Sequence, residues 1–103
     1  MPRHRFAERA EVDLEDITRY TLRAWGAGQA LAYIDGLEQL AASLVDNPSI
    51  GRPCESLADG LRAFPYRSHV LYYLIDADDI IVVRVLHHSM NPALQFDIDE
   101  TPN

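Results

Sequence analysis

The sequence predicts an α+β domain: an N-terminal strand, an antiparallel helical hairpin, then a mainly antiparallel sheet of three to four strands. Three observations carry the prediction. Two segments in the first half repeat their apolar residues at helical spacing, with Gly26-Ala27-Gly28 as the break between them. So short a connection makes them antiparallel neighbours. The second half holds two apolar runs, Val70–Ile75 and Ile80–Leu86, both short and rich in β-branched and aromatic residues. Neither run alternates with polar residues, so both faces of each strand are expected to be covered.

Each element has its own signals. Arg3–Ala7 is compatible with a first strand. From Glu8 to Trp25, Ala10, Leu14, Ile17, Thr21 and Ala24 form one helical stripe. Glu8, Glu11, Asp13, Glu15 and Asp16 crowd the first half of that helix, and Arg19 and Arg23 its end, as the helix dipole favours. Gly26 fits the stop. The second helix runs from about Gln29 to Val45 on the stripe Ala30, Tyr33, Leu37, Leu40 and Leu44, and Asp46-Asn47-Pro48 ends it. Residues 47–60 are punctuated by Pro48, Gly51, Pro53 and Gly60 and read as an irregular connection, pinned by Ile50 and Leu57. Ala63–Tyr66 is expected as an edge strand, because Pro65 has no N–H to donate. Asp76-Ala77-Asp78-Asp79 has turn composition between the last two strands. Asn91-Pro92 ends the final strand, and 95–103 read as a mobile acidic tail beyond a core spanning about 3–94.

A chain of 103 residues reads as one domain. No run is apolar and long enough for a membrane span, and the N-terminus lacks a signal-peptide pattern. The single cysteine, Cys54, excludes an internal disulfide and suits a reducing compartment, so a cytoplasmic protein is expected. A net charge of −7 argues against a specific nucleic-acid surface. The basic residues are all arginine. A GC-rich genome explains that as well as a need for bidentate ion pairs does.

Four local motifs occur in the order β-αα-βββ. They are Ala-Glu-Val-Asp-Leu-Glu-Asp-Ile at 10–17, Asn-Pro-Ser-Ile-Gly-Arg-Pro at 47–53, Gly-Leu-Arg-Ala-Phe-Pro at 60–65 with His-Val-Leu-Tyr-Tyr at 69–73, and Val-Arg-Val-Leu-His-His at 83–88. Together they resemble the ParE branch of the RelE/ParE toxin superfamily over roughly residues 3–94. The resemblance implies the toxin of a type II toxin–antitoxin pair, without a cofactor, inhibiting DNA gyrase by protein–protein binding and neutralised by a ParD-like antitoxin. RelE-like relatives instead cut mRNA on the ribosome with Lys, Arg and a late Tyr. An inactive partner-binding member is the third reading.

This chain has no Lys and no Tyr after Tyr73. A nuclease would have to draw on Arg62, His69, Arg84 and His87 for a base, an acid and cationic stabilisation. On a regular strand Arg84 and His87 point to opposite faces, and a bulge would be needed to unite them. His87 and His88 diverge as adjacent strand residues and lack a third ligand at metal spacing, so a strand-end role is favoured over a metal pair. Arg84 interrupts an apolar strand and requires a partner, either a helix or loop carboxylate of this chain or a group of another protein. Arg84, His87, His88 and Met90 are the expected target-binding residues. Where relatives commonly carry further basic residues and an Asp, this chain has Ser89, Met90 and Asn91.

For the antitoxin the expected residues are Arg62, Arg67, Tyr72, Tyr73 and Trp25. Trp25 at a helix end reads more readily as a core plug than as an exposed anchor. Leu31, Ile34, Ala41 and Val45 lie off the main stripe of the second helix. One helical hairpin covers one sheet face, so the other face is expected to stay partly apolar, with Tyr72 or Tyr73 on it, as a docking patch.

Overall fold

The computed structural model describes residues 1–96. In chain order its elements are β1 (His4–Phe6), α1 (Glu8–Trp25), α2 (Ala27–Asp46), a 3₁₀ turn at Pro48–Ile50, β2 (Arg52–Pro53), β3 (Arg62–Tyr66), β4 (His69–Asp76), β5 (Asp79–His87) and α3 (Pro92–Gln95). The expected tail lies outside the described residues from position 97 onward. Gln95 and Phe96, counted with that tail, belong to the folded body instead: Gln95 closes α3 and Phe96 packs on the core.

Gly26 alone separates the two long helices, and its φ of 94° is a conformation that side chains resist. Its N–H donates to the Leu22 carbonyl, closing α1, while its own carbonyl accepts from the Ala30 N–H, opening α2. The antiparallel hairpin expected from the sequence follows.

The sheet has five strands in the order β1-β5-β4-β3-β2. β1 runs parallel to β5, and every other pairing is antiparallel. The short β2 was not foreseen; it pairs Arg52 with Ala63 and Pro53 with Arg62. β3 is therefore not the edge along its whole length. The pairing with β2 stops before Pro65, whose missing N–H falls where the strand has become an edge.

One sheet face carries the hairpin. Ala10, Ile17, Leu37, Ala41 and Leu44 pack there against Leu71, Tyr73, Ile80, Val82 and Val85. Ala41, expected off the stripe, is fully buried, whereas Ala24, expected on it, is exposed along with Trp25 in the last turn of α1. The second face was expected to remain apolar and open. It is covered by the chain itself: Leu61, Ala63, Tyr72 and Leu86 form a second cluster, closed by Cys54, Leu57 and Ala58 of the connecting loop and by Phe96. The loop does this with Cys54, Leu57 and Ala58, too sparse to predict an element, whereas Ile50, expected to pin the connection along with Leu57, is 50% exposed.

Tyr73 joins the hairpin-side core to the connection after α2. Its buried hydroxyl donates to the Pro48 carbonyl at 2.6 Å and accepts from the Gly51 N–H at 2.9 Å. Glycine is needed at 51, since a Cβ there would lie 2.5 Å from that hydroxyl and 2.9 Å from the Ala63 carbonyl. Arg62 completes the stitching by donating to the Ser49 and Gly51 carbonyls at 3.2 and 2.5 Å.

The two hairpin turns are tight. Each starts with a residue in the left-handed region, Arg67 at φ 51° and Ala77 at φ 56°. For a non-glycine residue that conformation costs about 1–2 kcal/mol. Two variants should therefore shift stability in opposite directions. Ala77→Gly is expected to raise the urea midpoint by up to about 1 kcal/mol equivalent. Tyr73→Phe, which strands a buried N–H and a carbonyl, is expected to lower it by about 1–3 kcal/mol. Equal midpoints for Tyr73→Phe and the parent chain would show that the hydroxyl does not hold the connection.

Candidate functional site

Two constellations involve the residues singled out in the sequence. The first surrounds Arg84. The pairing of β4 with β5 slips between Tyr72 and Tyr73, so that Tyr72 faces Arg84 and Tyr73 faces Val82, leaving Val83 as an extra residue in β5. β1 reaches only Ile80–Val82, so the outer edge of β5 is open beyond that point. Asp13 of α1 fills the opening: its Oδ2 accepts the Val85 N–H at 2.9 Å, as a neighbouring strand would. The same carboxylate takes the Arg84 guanidinium in a fork, Nε to Oδ2 at 2.8 Å and Nη2 to Oδ1 at 3.0 Å. The third nitrogen, Nη1, donates to the Gln95 carbonyl at 2.7 Å, drawing in the end of α3. Arg84 is only 8% exposed. Its hydrogen bonds to Asp13 outweigh the desolvation and hold its proton more tightly than usual. The intramolecular carboxylate partner expected for Arg84 is thus Asp13.

The second constellation is a cleft of about 790 Å³ between α1, the start of α2 and the β3–β4 turn. Tyr20, Trp25, Tyr33, Tyr66, Arg67, His69 and His87 line it, with Asp16 and Thr21 on the α1 side. At its floor the Tyr33 hydroxyl accepts from the Ser68 N–H at 3.3 Å and lies 2.7 Å from His69 Nδ1. The direction of that second bond follows the imidazole tautomer, since the hydroxyl can donate to Nδ1 or accept from it. Burial, then the neighbouring His87 and His88, lower the His69 pKa to about 4, so the ring is neutral near pH 7. Burial likewise pushes the Tyr33 hydroxyl up. His87 meets His69 edge-on at 5.3 Å between ring centres and stacks on His88 at 4.4 Å. Its Nδ1 accepts the Ser89 N–H at 3.1 Å and sits 2.7 Å from the Ser89 hydroxyl.

The fold does not assemble the four residues a nuclease would need. His69 and His87 meet in the cleft. Arg62 pairs across from Tyr73 and His69 from Tyr66, which separates them by about 13 Å along the ladder. Arg84 is engaged with Asp13 and Gln95. The bulge that might have united Arg84 with His87 falls before Arg84 rather than between the two.

Of the expected partner-binding residues, Trp25 and Arg67 come together in the cleft, and Trp25 is exposed rather than a core plug. Tyr72 and Tyr73 are on opposite faces as expected, but both are buried, Tyr72 under Phe96 at 5.1 Å between rings and Tyr73 under the hairpin. Neither offers a surface. His88 and Met90 are exposed at the end of β5. Among the described residues no group of three or more His, Cys, Asp or Glu is placed to hold a metal ion, and no helix is long and apolar enough to cross a membrane. Sequence reasoning missed Asp13 and Tyr33 as individuals. Asp13 was one of several carboxylates on α1. Tyr33 had a signal, because a hydroxyl on an apolar stripe needs a polar partner.

Comparison with known proteins adds a family context. Residues 5–92 match the family model described as ParE toxin of type II toxin-antitoxin system, parDE. Toxin ParE1 of Caulobacter vibrioides is 36% identical over 91 residues, covering 88% of this chain and 94% of the relative. Toxin ParE of Escherichia coli is 37% identical over 83 residues, covering 80% and 81%. In a solved structure titled "Chromosomal ParDE TA system from P. aeruginosa", one chain superposes with a TM-score of 0.71 at 21% identity, over 84% of this chain and 95% of that one. At that identity the likeness speaks for the fold.

Two measurements check the site's physics. Arg84→Ala leaves the Asp13 carboxylate buried without its cation and should cost about 3–5 kcal/mol in chemical denaturation; a loss under about 1 kcal/mol would mean the pair is not desolvated. His69 binds its proton less readily in the folded state than in the unfolded one. Its contribution to stability is therefore complete above about pH 6.5 and lost as pH falls toward about 4. In an NMR titration the His69 ring should titrate near the lower value. A midpoint near 6.5 would show the ring to be solvated.

Proposed function

The chain belongs to the ParE toxin family of type II toxin–antitoxin systems, and from that premise we propose that it inhibits DNA gyrase by protein–protein binding, without catalysis, and is neutralised in the cytoplasm by a ParD-like antitoxin. The observation that carries the non-enzymatic reading is the dispersal of the groups a nuclease would need. Arg62 is tied to the backbone of 49–51, Arg84 to Asp13, and only His69 and His87 remain together. Beside that histidine pair the cleft offers a single cation, Arg67, and not the set of cations that clamps a phosphoryl group in its transition state. The net charge of −7 is also unfavourable for docking on ribosomal RNA.

For the target, the proposed contact surface is the end of β5, where His87, His88 and Met90 lie. Arg84 would act as a positioning residue behind it: it holds α3, which follows these residues directly, against the body of the domain. Serine, methionine and asparagine at 89–91, where relatives commonly carry charged residues, make this the segment in which potency or target choice would differ.

Expressed alone, the protein should arrest growth and induce the DNA-damage response, and purified protein should inhibit supercoiling by gyrase in vitro. Co-expression of a ribbon-helix-helix protein encoded beside it should restore growth. Rapid, codon-phased mRNA cleavage with supercoiling untouched would instead identify a RelE-type ribonuclease. Growth unaffected despite soluble, folded protein would identify an inactive partner-binding member.

A further inference from the structure

The turn between β5 and α3 is held by one imidazole. His87 Nδ1 accepts the Ser89 N–H at 3.1 Å and lies 2.7 Å from the Ser89 hydroxyl. The His87 carbonyl accepts the Met90 N–H at 3.0 Å and closes the turn. An imidazole nitrogen accepts a hydrogen bond only while it carries no proton, and an imidazolium ion has an N–H at both positions. The ring therefore caps this turn in its neutral form alone. Once protonated, Nδ1–H and the Ser89 N–H are two donors facing each other.

His87 is also the middle member of a row of three imidazoles. His69, its cross-strand partner on β4, meets it edge-on at 5.3 Å, and His88 stacks on it at 4.4 Å. The row is fixed to the body of the domain at two points. His69 Nδ1 lies 2.7 Å from the Tyr33 hydroxyl of α2, and the His88 N–H donates to the Ser68 carbonyl at 2.9 Å. Nothing around the row answers positive charge. On α1 the nearby acids are Asp13 and Asp16, which are paired with Arg84 and Arg19, and Tyr20 is neutral. Tyr33 faces the row from α2, and Tyr66 with the cation Arg67 from the β3–β4 turn. Among the described residues no carboxylate lies within ion-pair distance of His69, His87 or His88. Protons entering the row thus place like charges side by side, with a guanidinium as a further cation in the same cleft.

We propose that the row His69, His87 and His88 is an acid-sensitive switch on the turn that carries the target contact: neutral rings hold residues 88–90 closed, and proton uptake releases them. What the switch controls rests on the target contact proposed above, whereas the switch itself rests on the imidazole geometry. Because the neutral rings make the bonds, the closed turn is favoured at higher pH and lost as pH falls. Imidazole is the side chain whose charge changes between about pH 5 and 8, so a modest acidification is enough.

The test follows the imidazole nitrogens and the backbone amides of nitrogen-15-labelled protein by NMR from about pH 8 to about pH 5. At the upper end His87 Nδ1 should resonate as an unprotonated acceptor. As pH falls, its protonation and the shifts of the Ser89 and Met90 amides should share one midpoint. The protection of the Met90 amide, corrected for the intrinsic exchange rate, should drop about tenfold. His87→Asn supplies a carbonyl acceptor that reaches the N–H two residues on and does not titrate. It should keep the turn closed across the range, which separates loss of the proton site from loss of structure. His88→Gln removes a neighbouring charge and should raise the His87 midpoint. An Nδ1 already protonated at the upper end would overturn the proposal. So would amides that stay put while His87 titrates, or equal pH dependence in parent and His87→Asn. A midpoint unmoved by His88→Gln would overturn the coupling within the row. Affinity for gyrase is then compared at the two ends of the range. The parent should lose about tenfold more than His87→Asn, and equal losses would overturn the control of the target contact. No binding at either pH would overturn the target reading and that control with it. The resonances, recorded without gyrase, decide the switch separately.

Discussion

Arg84 breaks an apolar strand, and a guanidinium withdrawn from water must have its charge and its donors answered by the protein. The answer comes from a single carboxylate, Asp13, and one backbone carbonyl, that of Gln95. Because Asp13 also accepts the Val85 N–H, one side chain of α1 neutralises the cation and serves as the missing strand along the outer edge of β5. Three parts of the molecule are tied at this point: the first helix, β5 and the C-terminal segment. The orientation of α1 over the sheet, and hence the position of its last turn with Trp25, is set from here.

The cleft at the other end of α1 is a consequence of how the hairpin sits. One glycine joins α1 to α2, so the two helices stay in contact along their length, and the start of α2 brings Tyr33 over the β3–β4 turn. The hydroxyl of Tyr33 then finds its partners in Ser68 and His69, and the ring of His69 is kept neutral by the same burial that makes the bond.

The sheet's second face shows how a small domain manages apolar surface without a second layer of helices. The connection between α2 and β3 folds back over Leu61, Ala63, Tyr72 and Leu86, and Phe96 caps Tyr72. The expectation of an open docking face failed because it counted only regular elements as cover. Irregular segments bury apolar area as effectively when their backbone groups are bonded locally. Here the Cys54 and Leu61 N–H groups donate to the Leu61 and Ala58 carbonyls within the loop itself.

Periodicity and punctuation in the sequence were enough to determine the α+β class, both long helices, their antiparallel contact and the three main strands. These are properties of near neighbours: helical spacing, a glycine at a helix end, β-branched runs around an acidic turn. The motif order was enough for the toxin family. The need of Arg84 for a carboxylate was also legible, because an apolar strand states the dielectric around its odd residue. Which carboxylate was not, since Asp13 looks like the other acids of α1 until the bulge at Val83 and the short reach of β1 set it opposite the open edge. The parallel seat of β1, the two-residue β2 and the cover over Tyr72 were decided in the same way by pairings between distant segments. The cleft depends on them most of all. Trp25, Tyr33, Arg67 and His69 come from three separate parts of the chain, and only the tertiary packing of hairpin on sheet gives them a common surface.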